Sequence, residues 1–253
     1  MKQQTANSKQ QTANSKQQTA NSKRYTPSLL FKQAKNVVKF VIKKLCILYA
    51  IFRYSKLHKI GAFTIVANNC IAGFLYQKYG IKYYSPTIGL QFPQDDFVKF
   101  CSNFEHYINC ELEESIEKKQ DIFTSLGGGK INFPVGTLDD LTIFFQHYND
   151  FDDAKMKWEL RKKRINYDKL FFVFVAYDDT SIEILKSFEA LPIKNKILIT
   201  NKKRDECLKA FALYNGLKPW YEKMDNGFGK KYYEQYNFYK WIVKNNKVRA
   251  NGV

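Results

Sequence analysis

Short apolar runs alternate with helix-length amphipathic segments in the second half of the chain. Residues 170–176 are apolar, β-branched or aromatic and predict a buried strand, while the apolar spacing of residues 181–190 predicts a helix. Residues 196–200 form a second apolar run. Strand, helix and strand within about 30 residues predict a βαβ unit with parallel strands and a right-handed crossover. Together with the apolar run at 62–67, this pattern predicts an α/β domain over residues 61–253, a three-layer, mostly parallel sheet with flanking helices.

A different pattern precedes that domain, because apolar residues recur at steps of three and four from Ser28 to Tyr54. The apolar positions are Leu30, Ala34, Val37, Val41, Leu45, Leu48 and Phe52, and Lys32, Lys35, Lys39 and Lys43 share another flank. The spacing predicts a basic amphipathic helix in an arm of residues 28–60. Its longest uninterrupted apolar run, 45–52, is much shorter than the roughly 20 residues that a bilayer requires.

Two environments suit such a helix. It either lies in the headgroup region of an anionic membrane, or it packs its apolar side on the domain that follows. Further apolar residues at Phe31, Val38, Ile42 and Tyr49 widen the apolar side beyond what one packing seam needs, which favours the membrane.

The first 27 residues follow neither pattern and contain a tandem repeat. The heptapeptide Lys-Gln-Gln-Thr-Ala-Asn-Ser occurs at residues 2–8, 9–15 and 16–22. It has no apolar periodicity with which to bury a face, so residues 1–27 are predicted to be a disordered tail.

The repeat also has a genetic interpretation. One permitted set of codons for each unit, AAA CAG CAA ACA GCA AAC AGC, is the seven-base sequence AAACAGC written three times. Since seven is not a multiple of three, gain or loss of one unit would shift the reading frame. Bacteria use such frame shifts to switch genes for surface structures on and off. We therefore predict phase-variable expression. The nucleotide sequence of the gene tests this, because synonymous codons that interrupt the seven-base unit would contradict it.

The positive charge is concentrated in the same N-terminal part of the chain. Of 41 Lys and Arg residues, 13 lie in residues 1–60, which hold none of the 24 Asp and Glu residues. The rest of the chain therefore has 28 basic and 24 acidic residues, a net charge of only +4. The arm is the expected attractor for an anionic partner, and nucleic acid is not expected because the body shows no recognisable binding motif.

The cysteines indicate a reducing compartment. The five are odd in number, widely spaced and without a Cys-x-x-Cys pair, so they predict neither a disulfide framework nor a zinc cluster. No small-residue cleavage site follows the apolar run of the arm, which argues against a signal peptide. The protein is expected to be cytoplasmic and peripheral on the inner face of the cytoplasmic membrane.

Several blocks of the body carry a family resemblance. They are Ile65-Val66-Ala67-Asn68-Asn69-Cys70 with Gly73, Tyr84-Ser85-Pro86-Thr87-Ile88-Gly89-Leu90, Phe133-Pro134-Val135-Gly136, and His147-Tyr148 followed by Ala154, Trp158, Arg161, Arg164 and Ile165. Over roughly residues 61–200 the chain resembles a family of uncharacterised bacterial proteins, a domain of unknown function often labelled exopolysaccharide biosynthesis protein. The family pattern usually has Ser where Ala67 stands and Trp-Gly where Ile71-Ala72 stand. The resemblance implies an α/β fold and an association with polysaccharide assembly, without an established mechanism.

Ligands of open α/β sheets bind outside the carboxyl ends of the strands. Three clusters are predicted to lie there: Asn68-Asn69-Cys70, His147-Tyr148 and Asp178-Asp179. His147 is the candidate general base and Cys70 the candidate nucleophile, with a hydrogen-bonded structural histidine and a buried cysteine as the alternatives. Asp178 and Asp179 are candidate ligands of a divalent metal, or alternatively helix caps.

Further residues are candidates for substrate binding. They are Asn68, Asn69, Ser85, Tyr148, Arg161 and Arg164. The asparagines suit sugar hydroxyls, and the arginines suit a phosphate clamp, although a Lys-Arg run is ordinarily a solvated helix face.

These features favour a membrane-associated transferase of surface-polysaccharide biosynthesis, acting on lipooligosaccharide, capsule or exopolysaccharide. Glycosyl transfer is the first hypothesis, with a lipid-linked or nucleotide-activated sugar as substrate and a divalent metal as the candidate cofactor. An acyl or phosphoryl transferase of the same pathway, using Cys70 or His147, is the second hypothesis. A non-catalytic, membrane-bound assembly factor is the third.

Overall fold

The computed structural model describes residues 27–117, 133–177, 179–200, 211–212 and 236–246, and the chain divides into two compact units after Tyr49. Residues 1–26 of the predicted tail and Asp178 lie outside the described residues. The elements in chain order are α1 (Pro27–Arg53), α2 (Ser55–Ile60), β1 (Thr64–Ala67), α3 (Ile71–Tyr79), α4 (Gln94–Ser102), α5 (Phe104–Asn109), β2 (Leu112–Glu114), β3 (Val135–Leu138), β4 (Leu141–Phe144), α6 (Phe151–Lys162), a 3-10 turn (Tyr167–Lys169), β5 (Leu170–Val175), α7 (Ile182–Ala190), β6 (Lys196–Thr200), β7 (Phe211–Ala212) and α8 (Phe238–Asn245).

The basic amphipathic segment forms a single long helix, α1. Many of its large apolar side chains are exposed: Val37, Val38, Phe40, Val41, Ile42, Leu45, Ile47, Leu48 and Tyr49. Among the described residues, no helix combines the length and the apolar character needed to cross a membrane.

The second unit begins before the predicted end of the arm. The short helix α2 contributes Leu57, which is fully buried in a hydrophobic core. The arm was predicted to span residues 28–60, and its residues 50–60 belong to the second unit.

A parallel sheet forms the centre of the second unit, with strands in the order β1-β5-β6-β7. All three neighbouring pairs are parallel. The predicted βαβ unit is present as β5, α7 and β6, since α7 connects two adjacent parallel strands. The α/β class is confirmed.

Both faces of the parallel sheet are buried, because alternate side chains of a strand point to opposite faces. On one face, Phe171, Val173 and Val175 of β5 pack with residues of α2, α3 and α8. On the other face, Phe172 and Phe174 pack with residues of α4 to α7 and of the second sheet. The predicted three-layer arrangement follows from this alternation.

The second sheet is small and antiparallel, with strands in the order β2-β3-β4. The strand that precedes His147 is β4 of this sheet. His147 therefore does not follow a strand of the parallel sheet, contrary to the prediction. The sequence pattern of a short strand does not indicate which sheet the strand joins, because the partner is chosen by packing.

Candidate functional site

A loop of residues 88–92, between α3 and α4, is hydrogen-bonded to the end of β1 and to the small antiparallel sheet. On one side of the loop, the backbone N–H of Phe92 donates a hydrogen bond of 2.9 Å to the carbonyl oxygen of Asn68. On the other side, Gln91 and Phe144 exchange two backbone hydrogen bonds of 2.8 Å. Backbone bonds on both sides therefore fix the residues after β4 relative to the residues after β1.

Gly89 allows the chain after β4 to come close to this loop. Its backbone adopts φ +74°, a conformation that side chains with a Cβ rarely adopt. A Cβ at this position would lie 3.3 Å from both the Cβ of His147 and the Cε2 of Tyr148. The carbonyl oxygen of Gly89 accepts a hydrogen bond of 3.1 Å from the backbone N–H of His147. Gly89 thus positions the backbone of His147.

The two predicted catalytic residues meet at this place. The Sγ atom of Cys70 lies 3.1 Å from the Nε2 atom of His147, although the residues are 77 positions apart in sequence. Cys70 occupies the N-cap position of α3. A thiol within hydrogen-bonding distance of an imidazole is the arrangement that nucleophilic cysteine catalysis requires.

Burial determines the protonation state of the Cys70 thiol. Loss of solvent raises the pKa of Cys70 to about 11, because the charged thiolate is disfavoured away from water. Cys70 is therefore a neutral thiol near pH 7. A neutral thiol needs a base to become nucleophilic, and the Nε2 of His147, 3.1 Å away, is placed to accept its proton.

A cavity of about 280 Å³ opens beside the pair. Its lining residues are Cys70, Gly73, Phe74, Gln77, Tyr83, Ile88, Gly89, His147, Tyr148, Lys157 and Arg161. Four of the predicted site residues, Cys70, His147, Tyr148 and Arg161, thus line one cavity. The volume is close to the lower end of the roughly 300–1,000 Å³ that is typical of small-molecule sites.

Arg161 is held rigidly in the wall of the cavity. Its Nη1 donates to the carbonyl oxygen of Ile88 at 3.2 Å and to the hydroxyl of Tyr148 at 2.5 Å. The guanidinium also lies over the ring of Tyr83, 5.3 Å from the ring centroid. No carboxylate of the described residues forms an ion pair with Arg161, so its charge is suited to an anionic group of a ligand.

The chain is similar to known proteins over most of its length. The family model of a domain of unknown function, DUF1919, matches residues 41–243. The chain belongs to this family. An uncharacterised protein of Haemophilus influenzae is 30% identical over 184 residues, which cover 71% of this chain and 83% of that protein. All residues that line the cavity lie within the DUF1919 domain.

Asn68 and Asn69, the asparagines predicted to bind sugar hydroxyls, make hydrogen bonds to backbone groups. The Nδ2 of Asn68 donates to the carbonyl oxygen of Val175, and its Oδ1 accepts from the N–H of Val175, both at 2.9 Å. Asn68 therefore joins β1 to β5. The Oδ1 of Asn69 accepts a hydrogen bond of 3.1 Å from the N–H of Ile71, at the start of α3. Neither asparagine is among the residues that line the cavity.

Of the other predicted site residues, Ser85, Arg164 and Asp179 are described by the structure and are not among those that line the cavity. Ser85 is fully buried, and its Oγ lies 3.0 Å from the Oγ1 of Thr87 within the turn. Arg164 donates to the carbonyl oxygen of Tyr83 at 3.4 Å. Asp179 is exposed after β5, and its predicted metal partner Asp178 lies outside the described residues, so the metal site stays a prediction.

Sequence reasoning missed Lys157, which also lines the cavity. Its Nζ pairs with Asp153 at 2.6 Å and lies 5.3 Å from the ring centroid of Tyr148. The spacing of four residues between Lys157 and Arg161 would have placed both on one face of α6. The sequence carries no comparable indication for Gln77 or Tyr83, which reach the cavity through packing.

The raised pKa predicts how Cys70 of the DUF1919 domain responds to alkylation. Only the thiolate reacts with iodoacetamide, so the alkylation rate of Cys70 should rise by about tenfold per pH unit from pH 7 to about pH 10. A free cysteine, with a pKa of about 8.5, should level off earlier. Peptide mapping by mass spectrometry measures the rate at Cys70 separately from the other cysteines. A plateau near neutral pH would instead show a thiolate–imidazolium pair and contradict the prediction.

Proposed function

We propose that this protein is a membrane-associated transferase of surface-polysaccharide assembly that transfers an acyl group through Cys70. The observation that carries the proposal is the distance of 3.1 Å between the Cys70 Sγ and the His147 Nε2 in the wall of a cavity. Lipooligosaccharide, capsule and exopolysaccharide are the candidate glycans, and the resemblance described above supports the pathway. The repeat at residues 2–22 supports phase-variable expression.

The reaction has two steps. In the first, Cys70 attacks the carbonyl carbon of an activated acyl donor while its proton passes to His147, and the leaving group departs with that proton. In the second, a sugar hydroxyl attacks the resulting thioester, His147 accepts the hydroxyl proton and the proton returns to the sulfur. Cys70 is the N-cap residue of α3, so the partial positive charge at the start of this helix is available to the developing oxyanion.

The charges in the cavity indicate an anionic substrate. Arg161 has donors besides Nη1 that can bind a ligand. Lys157 lines the same cavity, but its charge is paired with Asp153. A phosphate or carboxylate on the donor or acceptor therefore suits Arg161. The small volume of the cavity favours a short acyl group on Cys70.

Glycosyl transfer is the alternative reaction, and it uses the cavity differently. It would require His147 as the base for an acceptor hydroxyl, with a nucleotide-sugar donor and a divalent metal near Asp179. It gives no role to the Cys70 thiol. The close approach of that thiol to His147 is why we favour acyl transfer.

Substitution of Cys70 and His147 distinguishes the reactions. We expect Cys70→Ser and His147→Ala each to lower transfer by at least about a hundredfold, and the surface glycan to lose an ester-linked acyl group. Mass spectrometry of glycan from strains that carry each variant measures this. Cys46→Ser, which changes a cysteine of α1 far in sequence from the cavity residues, is the matched control and should leave the glycan unchanged.

Other results of these substitutions would indicate a different function. Loss of a sugar in His147→Ala, with normal glycan in Cys70→Ser, would support glycosyl transfer and contradict the acyl mechanism. If that activity also disappeared with a chelator and in Asp179→Ala, the metal prediction would be supported. Normal glycan in both variants would favour a non-catalytic assembly factor.

The arm supports the membrane part of the proposal. Helix α1 exposes apolar side chains at Val41, Leu45 and Leu48, while Lys39 and Lys43 provide positive charge on the same helix. Exposed apolar area beside lysines is typical of helices that lie in the headgroup region of an anionic leaflet. We propose the inner face of the cytoplasmic membrane as that surface.

Vesicle binding tests the arm directly. Each lysine near an anionic surface contributes roughly 1 kcal/mol, so changing Lys32, Lys35, Lys39 and Lys43 to Gln should weaken binding to phosphatidylglycerol vesicles by more than about tenfold. Co-sedimentation of the full-length protein measures the affinity.

Two matched measurements complete this test. Changing Lys155, Lys162, Lys163 and Lys186 of the body to Gln alters the net charge equally and should leave binding nearly intact. Vesicles of phosphatidylcholine alone should bind both forms weakly. Equal losses for the two lysine sets would contradict a specific role of the arm.

A further inference from the structure

A second cluster of reactive side chains lies outside the cavity. His106 belongs to α5, Cys110 follows the end of that helix, and Asp139 lies in the turn between β3 and β4. One ligand atom from each residue lies within 4.8 Å of the other two. None of the three lines the cavity of Cys70.

We propose that His106, Cys110 and Asp139 bind a zinc ion. The Nε2 of His106 lies 3.0 Å from the Oδ2 of Asp139 and 3.6 Å from the Sγ of Cys110. Tetrahedral zinc with bonds of about 2.0 Å to nitrogen and oxygen and about 2.3 Å to sulfur places these atoms roughly 3.3 Å and 3.6 Å apart. These two observed distances are close to the distances that a shared zinc ion requires, and the Cys110 sulfur and an Asp139 oxygen lie within 4.8 Å of each other.

The local structure holds the ligands in place. His106 and Cys110 are four residues apart at the end of a helix and therefore share one face. Asp139 has φ 56°, the left-handed conformation that Asp and Asn adopt more readily than most residues. The neighbouring Asp140 accepts hydrogen bonds from Lys99 at 3.0 Å and from Tyr107 at 2.9 Å, which ties the turn to α4 and α5.

Binding of zinc releases one proton and adds an ion whose charge the ligands neutralise. Zinc displaces the proton of the Cys110 thiol into solvent and accepts lone pairs from the Cys110 sulfur, the His106 Nε2 and an Asp139 oxygen. The charge of the ion is matched by one thiolate and one carboxylate, and water takes the fourth position. The thiolate is the form of cysteine that binds a metal, so the Cys110 proton is released on binding.

Zinc at this position would connect two parts of the second unit. His106 and Asp139 are 33 residues apart, and the ion would join the end of α5 to the turn between β3 and β4. The strand β4 in turn precedes His147. Zinc would therefore stabilise the small sheet from which the chain continues to the cavity, without contacting a substrate.

Cobalt provides a spectroscopic probe of the site. The full-length protein, stripped with a chelator and titrated with Co²⁺, should bind one equivalent and show thiolate-to-cobalt charge-transfer absorption in the near ultraviolet. Zinc should displace the cobalt and raise the melting temperature. The absorption should disappear in Cys110→Ser and remain unchanged in Cys46→Ser, which removes an exposed cysteine of α1.

A second variant guards against loss of folding. Asp139→Asn keeps a residue that tolerates the left-handed turn but removes the anionic ligand, so zinc should bind at least about tenfold more weakly while the metal-free protein melts at nearly the same temperature. Zinc affinity measured with a competing chromophoric chelator gives this ratio. Charge-transfer absorption that persists in Cys110→Ser, or zinc affinity within twofold in Asp139→Asn, would overturn the proposal.

Discussion

The candidate site depends on the loop of residues 88–92, which is hydrogen-bonded through its backbone on both sides. Phe92 holds the loop to the end of β1, and Gln91 holds it to β4. Backbone N–H and C=O groups of a buried segment are costly to leave without hydrogen-bond partners, so the position of the loop between β1 and β4 is well defined. Cys70 follows β1 and His147 follows β4, and the distance between them is consequently set by the fold rather than by flexible side chains.

The buried parallel sheet explains why several polar residues near the site are structural. Both faces of the sheet are covered by hydrophobic cores, so a polar side chain at the end of a strand has little water to bond with. Asn68 bonds both backbone groups of Val175 for this reason. Arg161 of α6, by contrast, lines the cavity without an ion-pair partner among the described residues.

Some of the fold and site could be predicted from residue patterns. The uninterrupted apolar run at residues 170–176 indicated a buried strand, and β5 is such a strand. Cys70 and His147 could be named because their side chains carry reactive groups. The roles of Asn68 and Ser85 could not be predicted, because an amide or hydroxyl serves a ligand and a backbone group equally well until its neighbours are known.

The sequence by itself determined the elements that depend on local spacing: the basic helix α1, the βαβ unit and the apolar runs of the parallel strands. Only the tertiary structure decided that Cys70 and His147 are partners. The residues are 77 positions apart, and β4 pairs antiparallel with β3 in a separate sheet. Strand partners are selected by packing and hydrogen bonding over long sequence separations, which the local pattern of apolar residues does not encode.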